Sequence, residues 1–206
     1  MFDGIPVHMV GAVDSFADPT PEDNAEALRR MAAHHRRCGS SWKPYSRPED
    51  VYHAYGPSVT ALPRMFNAGV LVFSPLLHAQ IFQHVYDQYE DAGNPSYFEN
   101  VPLSYELVNR ELVHWMNPKF NHLWAWSKYL HYPFFLDWQP RSDRDKVFRR
   151  VANWMGNDYE LRTLVASVTA SLLNCHALHF AGLSSEMELV DLELAAEGRA
   201  GNLGVR

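Results

Sequence analysis

Apolar side chains that return every three or four residues predict helices, and short uncharged apolar runs predict strands. Val7, Met9, Val10 and Val13 predict a first strand over Pro6–Val13 that ends at Asp14. Thr20-Pro21-Glu22-Asp23 then reads as a helix start. Thr20 can cap, Pro21 suits the first helical position, and two acids suit the positive end of the helix dipole. That helix is predicted to run to Arg37, where Gly39 stops it. Its apolar side (Ala25, Leu28, Met31, Ala32) is thin, which predicts a surface helix. Ser40–Arg64 carries Pro44, Pro48, Gly56, Pro57 and Pro63 with Trp42, Tyr45, Tyr52 and Tyr55 between them, and reads as a long ordered loop. Val70–Phe73 is uncharged, so the strand Ala68–Phe73 is predicted to be buried on both faces. Asn67-Ala68-Gly69 opens it with residues that admit a close backbone or ligand, and Ser74-Pro75 closes it and starts a helix.

Leu77, Ile81, Phe82, Val85, Tyr86 and Tyr89 recur at helical spacing and predict a helix over Leu76–Asp91, ended by Gly93. A short helix over Pro102–Arg110 should point Leu103 and Leu107 inward, and Leu112–Met116 reads as a strand. Pro118–Pro140 reads as irregular and aromatic. Asp143–Met155 is predicted to be helical with Val147, Phe148, Val151, Trp154 and Met155 on one face. Tyr159–Leu173 is predicted to be helical, Ala177–Phe180 a strand, Glu186–Glu197 a last helix, and the Gly-rich end frayed. The predicted strands are few for an α/β sheet that binds a ligand. The sheet is therefore expected to be small, or to include strands that precede Met1.

Composition narrows the class. At 206 residues the chain can bury a real core, and 47% hydrophobic with 20% charged residues is ordinary for a globular protein. The net charge of -6 argues against nonspecific nucleic-acid binding. Cys38 and Cys175 are too few for a disulfide framework, and free thiols point to a reducing cytoplasm. No apolar run has the length of a membrane span, and no secretory signal is evident.

Several residues could carry chemistry. His176 and His179 fall on opposite faces of a strand, which argues against a shared zinc ion, and the adjacent His34 and His35 do not face each other on a helix. His179 alone, at a strand end beside Gly182, could reach an open metal position or could be a buried, hydrogen-bonded histidine. Glu99-Asn100 puts a carboxylate and an amide at a helix start, near Asn67 if strand and helix pack as neighbours; simple capping is the other reading. Asn121 and His122 read equally as turn residues. The aromatic stretch Trp115–Trp138 is packing, or a platform for a sugar's apolar face. No serine-nucleophile, phosphate-loop or G-x-G-x-x-G motif is present.

Four segments, in order, resemble those of the family 8-type (glycogenin-like) glycosyltransferases of the GT-A fold. Phe66-Asn67-Ala68-Gly69-Val70-Leu71 resembles the family's F-N-[AS]-G-V-L strand. Tyr97-Phe98-Glu99-Asn100-Val101-Pro102-Leu103-Ser104 falls where it has D-Q-x-x-L-N. Asn117-Pro118-Lys119-Phe120-Asn121 is similar to L-P-x-x-F-N, and Leu178-His179-Phe180-Ala181-Gly182 to I-H-F-x-G. The resemblance implies an α/β fold, the C-terminal portion of a GT-A domain over residues 1–183 with a mixed sheet flanked by helices, then a helix and flexible tail over 184–206. It implies transfer of a hexose from a nucleotide-diphosphate sugar to a carbohydrate or other acceptor, with retention.

By the same resemblance His179 is a ligand of manganese (or magnesium), Asn67, Ala68, Gly69, Asn121 and Gly182 contact substrate, and Glu99 and Asn100 stand near the anomeric carbon. The sequence departs from the family in Glu-Asn for Asp-Gln and in Leu183-Ser184-Ser185 for Lys-Pro-Trp. The family's Asp-x-Asp and its nucleotide-binding strands would fall before Met1, so little transfer is expected of this chain alone. The rival reading is a noncatalytic carbohydrate-binding or interaction module that uses the aromatic stretch without metal.

Overall fold

The computed structural model describes residues 4–41, 44–55, 60–89, 100–134, 143–155, 159–181 and 183–203. In chain order these form β1 (Val10–Asp14), α1 (Pro21–Arg37), α2 (Pro48–Tyr55), β2 (Phe66–Val72), α3 (Pro75–Tyr89), α4 (Asn100–Asn109), β3 (Val113–Trp115), a 3-10 turn (Pro118–Phe120), β4 (His122–Leu123), α5 (Trp124–His131), α6 (Asp143–Trp154), α7 (Tyr159–Leu173), β5 (Leu178–His179), α8 (Ser184–Met187) and α9 (Leu192–Leu203). The class is α/β, with a small mixed sheet and helices around it. The chain divides into two compact units, Met1–His122 and Leu123–Arg206.

In the first unit the sheet order is β2-β1-β3, antiparallel between β1 and β2 and parallel between β1 and β3. β1, with partners on both sides, is buried at every residue. This corrects the expectation for β2, which is an edge strand with Phe66 alone fully buried and Gly69 exposed. Burial followed position in the sheet more than the length of the apolar run. The first strand is also shorter than expected: a turn closed by Met9 N–H to Pro6 C=O precedes it, and Val7 is exposed.

Val10 and Ala12 share a face of β1 and bury against Phe66, Val113, Val85 of α3, and Leu103 and Leu107 of α4. Ile81 and Phe82 complete the α3 contact, while Leu77 and Tyr86 of the predicted stripe are exposed. His78, on the same helix, is buried; it accepts from Ser74 N–H at Nδ1 (3.1 Å) and its Nε2 faces His8 C=O at 3.1 Å. On the opposite face Gly11 sits so close to the chain above that a Cβ would lie 2.5 Å from Ile5 Cδ1 and 3.0 Å from Met116 Sδ.

The helix ends follow local chemistry. Thr20 Oγ1 accepts from Asp23 N–H at 3.1 Å and caps α1, as expected. Its buried stripe is Asn24, Ala27, Leu28 and Met31 rather than one led by Ala25, because Asn24 Nδ2 donates to Ser15 C=O (3.0 Å) and is held inward. Gly39 ends α1 at φ 76°, with Ser40 N–H bonded to His35 C=O and Gly39 N–H to Arg36 C=O. Glu111 does the same for α4 at φ 56°. The expected loop Ser40–Arg64 contains α2, whose Val51 and Tyr52 bury with Met65 and Val101.

In the second unit the stretch expected to be irregular contains α5. Trp124 is fully buried, its Nε1–H donates to Glu186 (2.5 Å), and Lys128 pairs with the other Glu186 oxygen at 2.6 Å. α7 packs against α5 and α9, and buried Thr169 accepts from Asp191 N–H at 3.0 Å where α9 begins. The predicted last helix is two, α8 and α9, and α9 continues to Leu203 where fraying was expected. On α6 the face carrying Val147, Phe148, Val151 and Trp154 is exposed, as is Met155 just past its end. Gly93 lies outside the described residues.

Truncating a side chain in the first unit tests this assignment. Leu107→Ala should cost about 2–5 kcal/mol in urea unfolding, whereas Leu76→Ala, at 95% exposure, should stay within about 0.5 kcal/mol of the parent.

Candidate functional site

The β1–β2 ladder breaks between Ala12 and Val13. Ala12 faces Leu71 while Val13 faces Asn67, so Ala68, Gly69 and Val70 stand outside the pairing. Backbone groups that lose ladder partners need others. Asn100 Oδ1 accepts from Ala68 N–H at 2.7 Å, and Asn67 Oδ1 accepts from Gly69 N–H at 2.8 Å. Asn121 Nδ2 donates to Asn67 C=O at 3.1 Å.

Ser104 extends the same docking. Its hydroxyl accepts from Phe66 N–H at 3.2 Å and lies 3.4 Å from Phe66 C=O. Asn100 and Ser104 are one helical turn apart, a rise of about 6 Å. Phe66 and Ala68 are two strand residues apart, about 6.6 Å. The two spacings match, so one face of α4 can serve two backbone positions of β2.

The structure therefore brings together Asn67, Ala68, Asn100 and Asn121, with exposed Gly69 beside them. Asn121 is 1% exposed, and its Oδ1 has no hydrogen-bond partner among the described residues. Asn100 opens α4, and its amide oxygen accepts from the bulge. Glu99 and Gly182 lie outside the described residues. His179 closes β5 in the second unit and is half-buried, while His176 precedes that strand.

Other charged groups gather at the C-terminal end of β1, beside that of the parallel strand β3. Ligands in α/β folds bind at such strand ends. Asp14 accepts from Arg64 Nε at 2.7 Å and from Phe16 N–H at 2.9 Å. The Arg64 guanidinium lies 3.7 Å from the centre of the Trp115 ring, which closes β3. Buried Tyr52 donates to Arg64 C=O at 3.0 Å. Burial pushes its phenol well above the usual tyrosine range, a hydrogen bond with Ser104 works the other way, and the Asp14 charge adds to the rise. Asp18, at 1% exposure, is held 2.7 Å from His122 Nδ1.

Asp14, Asp18 and Arg64 belong to none of the motifs that the sequence singles out. Asp14 had a signal, a carboxylate closing a predicted strand. Asp18 and His122 are 104 residues apart and had none.

Beside β3 a cleft of about 190 Å³ opens between Gly4-Ile5 and His114, Trp115, Asn117 and Phe120. Its wall carries the Trp115 and Phe120 rings and the Asn117 amide.

The manganese or magnesium ion implied by the resemblance would take His179 as one ligand. Among the described residues no three His, Cys, Asp or Glu side chains converge on a metal position. A hard ion of this kind needs several oxygen donors. The described residues do not fit a complete site.

Two outcomes check this geometry. Asn121→Ala removes the donor to Asn67 C=O and should destabilise the fold by about 1–3 kcal/mol in urea. Tyr52 has a raised folded-state pKa, so above about pH 10 the unfolded chain loses this proton first. Its stabilisation is complete below that pH and falls as pH rises. Tyr52→Phe should lose about 1 kcal/mol at neutral pH and show a flatter loss of stability above about pH 10, read from melting curves across pH.

A scan against protein-family models matches none, and searches of curated proteins and of solved structures find no match.

Proposed function

We propose that this chain is the sugar-binding, acceptor-side part of a GT-A glycosyltransferase of the glycogenin-like type, one that moves a hexose from a nucleotide-diphosphate sugar to an acceptor. The observation that carries the proposal is the cluster at the β2 bulge. Asn67 with Ala68, Asn100 and Asn121 come from separate segments that the resemblance assigns to substrate contact and catalysis, and they meet in one hydrogen-bonded group. The aromatic and amide wall of the cleft beside β3 gives further support.

On this reading each residue has a physical task. The bulge lifts Ala68–Val70 out of the ladder, so that backbone there can approach a sugar closely. Asn100 and Asn121 hold the bulge in place, which keeps the position of the sugar fixed without reorganisation. Asn67 anchors the turn through Gly69 N–H, and its remaining amide hydrogens suit a hydroxyl of the hexose.

Saturation-transfer NMR on the full chain with a panel of uridine-diphosphate hexoses, with and without manganese, tests this. The expected result is saturation of hexose-ring protons that Asn67→Ala abolishes. That variant loses one surface hydrogen bond, about 1 kcal/mol, so its melting temperature should drop by only about 2–4 °C. Hexose signals unchanged in Asn67→Ala, or no hexose signal with any donor, would overturn the proposal. Equal binding of free hexoses, indifferent to nucleotide and metal, would instead support the noncatalytic carbohydrate-binding module.

A further inference from the structure

We propose that α6 is an interfacial helix that lays its apolar face on an anionic lipid surface. The inference stands apart from the sugar reading of the first unit. Val147, Val151 and Trp154 recur at i, i+4 and i+7 and form one stripe along the helix, with Phe148 beside Val147. That face is open to solvent: Trp154 is 86% exposed, Phe148 75%, Val147 60% and Val151 48%. Single exposed apolar residues are ordinary. Four on one face of a 12-residue helix make a patch, and such patches mark interaction sites.

The charges beside the patch name its occupant. α6 carries Arg144, Lys146, Arg149 and Arg150 against Asp143 and Asp145, so it is a basic segment in a chain of net charge -6. Lys146 and Arg150 are exposed and four residues apart, which sets them in a second row along the helix. Arg150 falls about 60° round the helix from Val147 and about 40° from Trp154. The cationic row therefore borders the apolar one.

A bilayer surface has the same two levels, acyl chains below and phosphates above. A helix lying in its plane sinks Val147, Val151 and Phe148 into the acyl boundary, while Lys146 and Arg150 reach phosphates on their methylene stems. The Trp154 indole, apolar with one N–H, suits the level between. Arg144 stands one turn before Phe148 at the helix end, where a long side chain can turn out to the headgroups. The helix is too short to cross a bilayer, so it lies on one. A protein groove is the competing occupant, but protein interface cores are poor in charge, and here cations follow the apolar row.

The test is co-sedimentation of the full chain with vesicles of phosphatidylcholine alone or mixed with phosphatidylglycerol. The chain should partition onto the mixed vesicles, and added salt should weaken the binding. Phe148→Ser with Trp154→Ser should lower the partition by about tenfold or more. Arg150→Gln should lower it about fivefold. Leu76→Ser, which removes an exposed apolar residue of the first unit, should leave it unchanged. Circular dichroism confirms that the variants remain folded. No binding to mixed vesicles overturns the proposal, as does equal binding to both kinds or binding that the double variant retains. A parent chain that ignores vesicles but dimerises in sedimentation equilibrium, with a monomeric double variant, would give the face to a second copy instead.

Discussion

The first unit depends on the break in its central ladder. Between Ala12 and Val13 the pairing with β2 jumps from Leu71 to Asn67. Unanswered, such a jump would leave backbone N–H and C=O groups without partners, at about 1–3 kcal/mol for each buried one. Asparagine side chains answer it. Asn100 and Asn67 accept from the freed N–H groups, and Asn121 donates to the carbonyl at the base of the bulge. An amide can do this because it carries both acceptor and donor at side-chain reach, which no apolar residue can.

That arrangement ties α4 to the sheet. Asn100 and Ser104 dock on Ala68 and Phe66, while Leu103 and Leu107 of the same helix enter the core with Val10, Ala12 and Phe66. Polar docking and apolar packing therefore use adjoining faces of one short helix. Hydrophobic burial is nondirectional and sets the approach of helix to sheet. The directional hydrogen bonds set the register along the strand. Tyr52 continues the network outward from Ser104, through the Arg64 carbonyl, to the Asp14–Arg64 pair at the end of β1.

Local patterns in the sequence were legible where one element decided them. The cap at Thr20, the glycine stop at Gly39 and the span of α1 follow from a few neighbouring residues. The inward positions of Leu103 and Leu107 follow from helical period. Local pattern misled where the answer lay in a distant neighbour. The run Val70–Phe73 is apolar enough for a central strand, yet β1 holds the centre because β3 pairs with its other edge. The period on α6 places Val147, Phe148, Val151 and Trp154 together, but period alone cannot say whether a face is covered, and this one is exposed. Trp124 falls in a stretch whose local pattern predicts irregular chain, yet it is the buried start of a helix, held by Glu186 from far along the chain.

For the site the same division holds. The sequence by itself determined which residues carry suitable chemistry: Asn67 beside two small residues, an amide at the start of α4, and Asn121 after a proline turn. These follow from residue type and turn propensity, which act over a few bonds. Only the tertiary structure decided that Asn67, Asn100 and Asn121 meet, that Asp14 is joined by Arg64, and that buried Asp18 is answered by His122. Those pairings join residues 32 to 104 positions apart. Nothing local encodes them, because they exist once the sheet and its helix have closed and each buried polar group has had to find a partner.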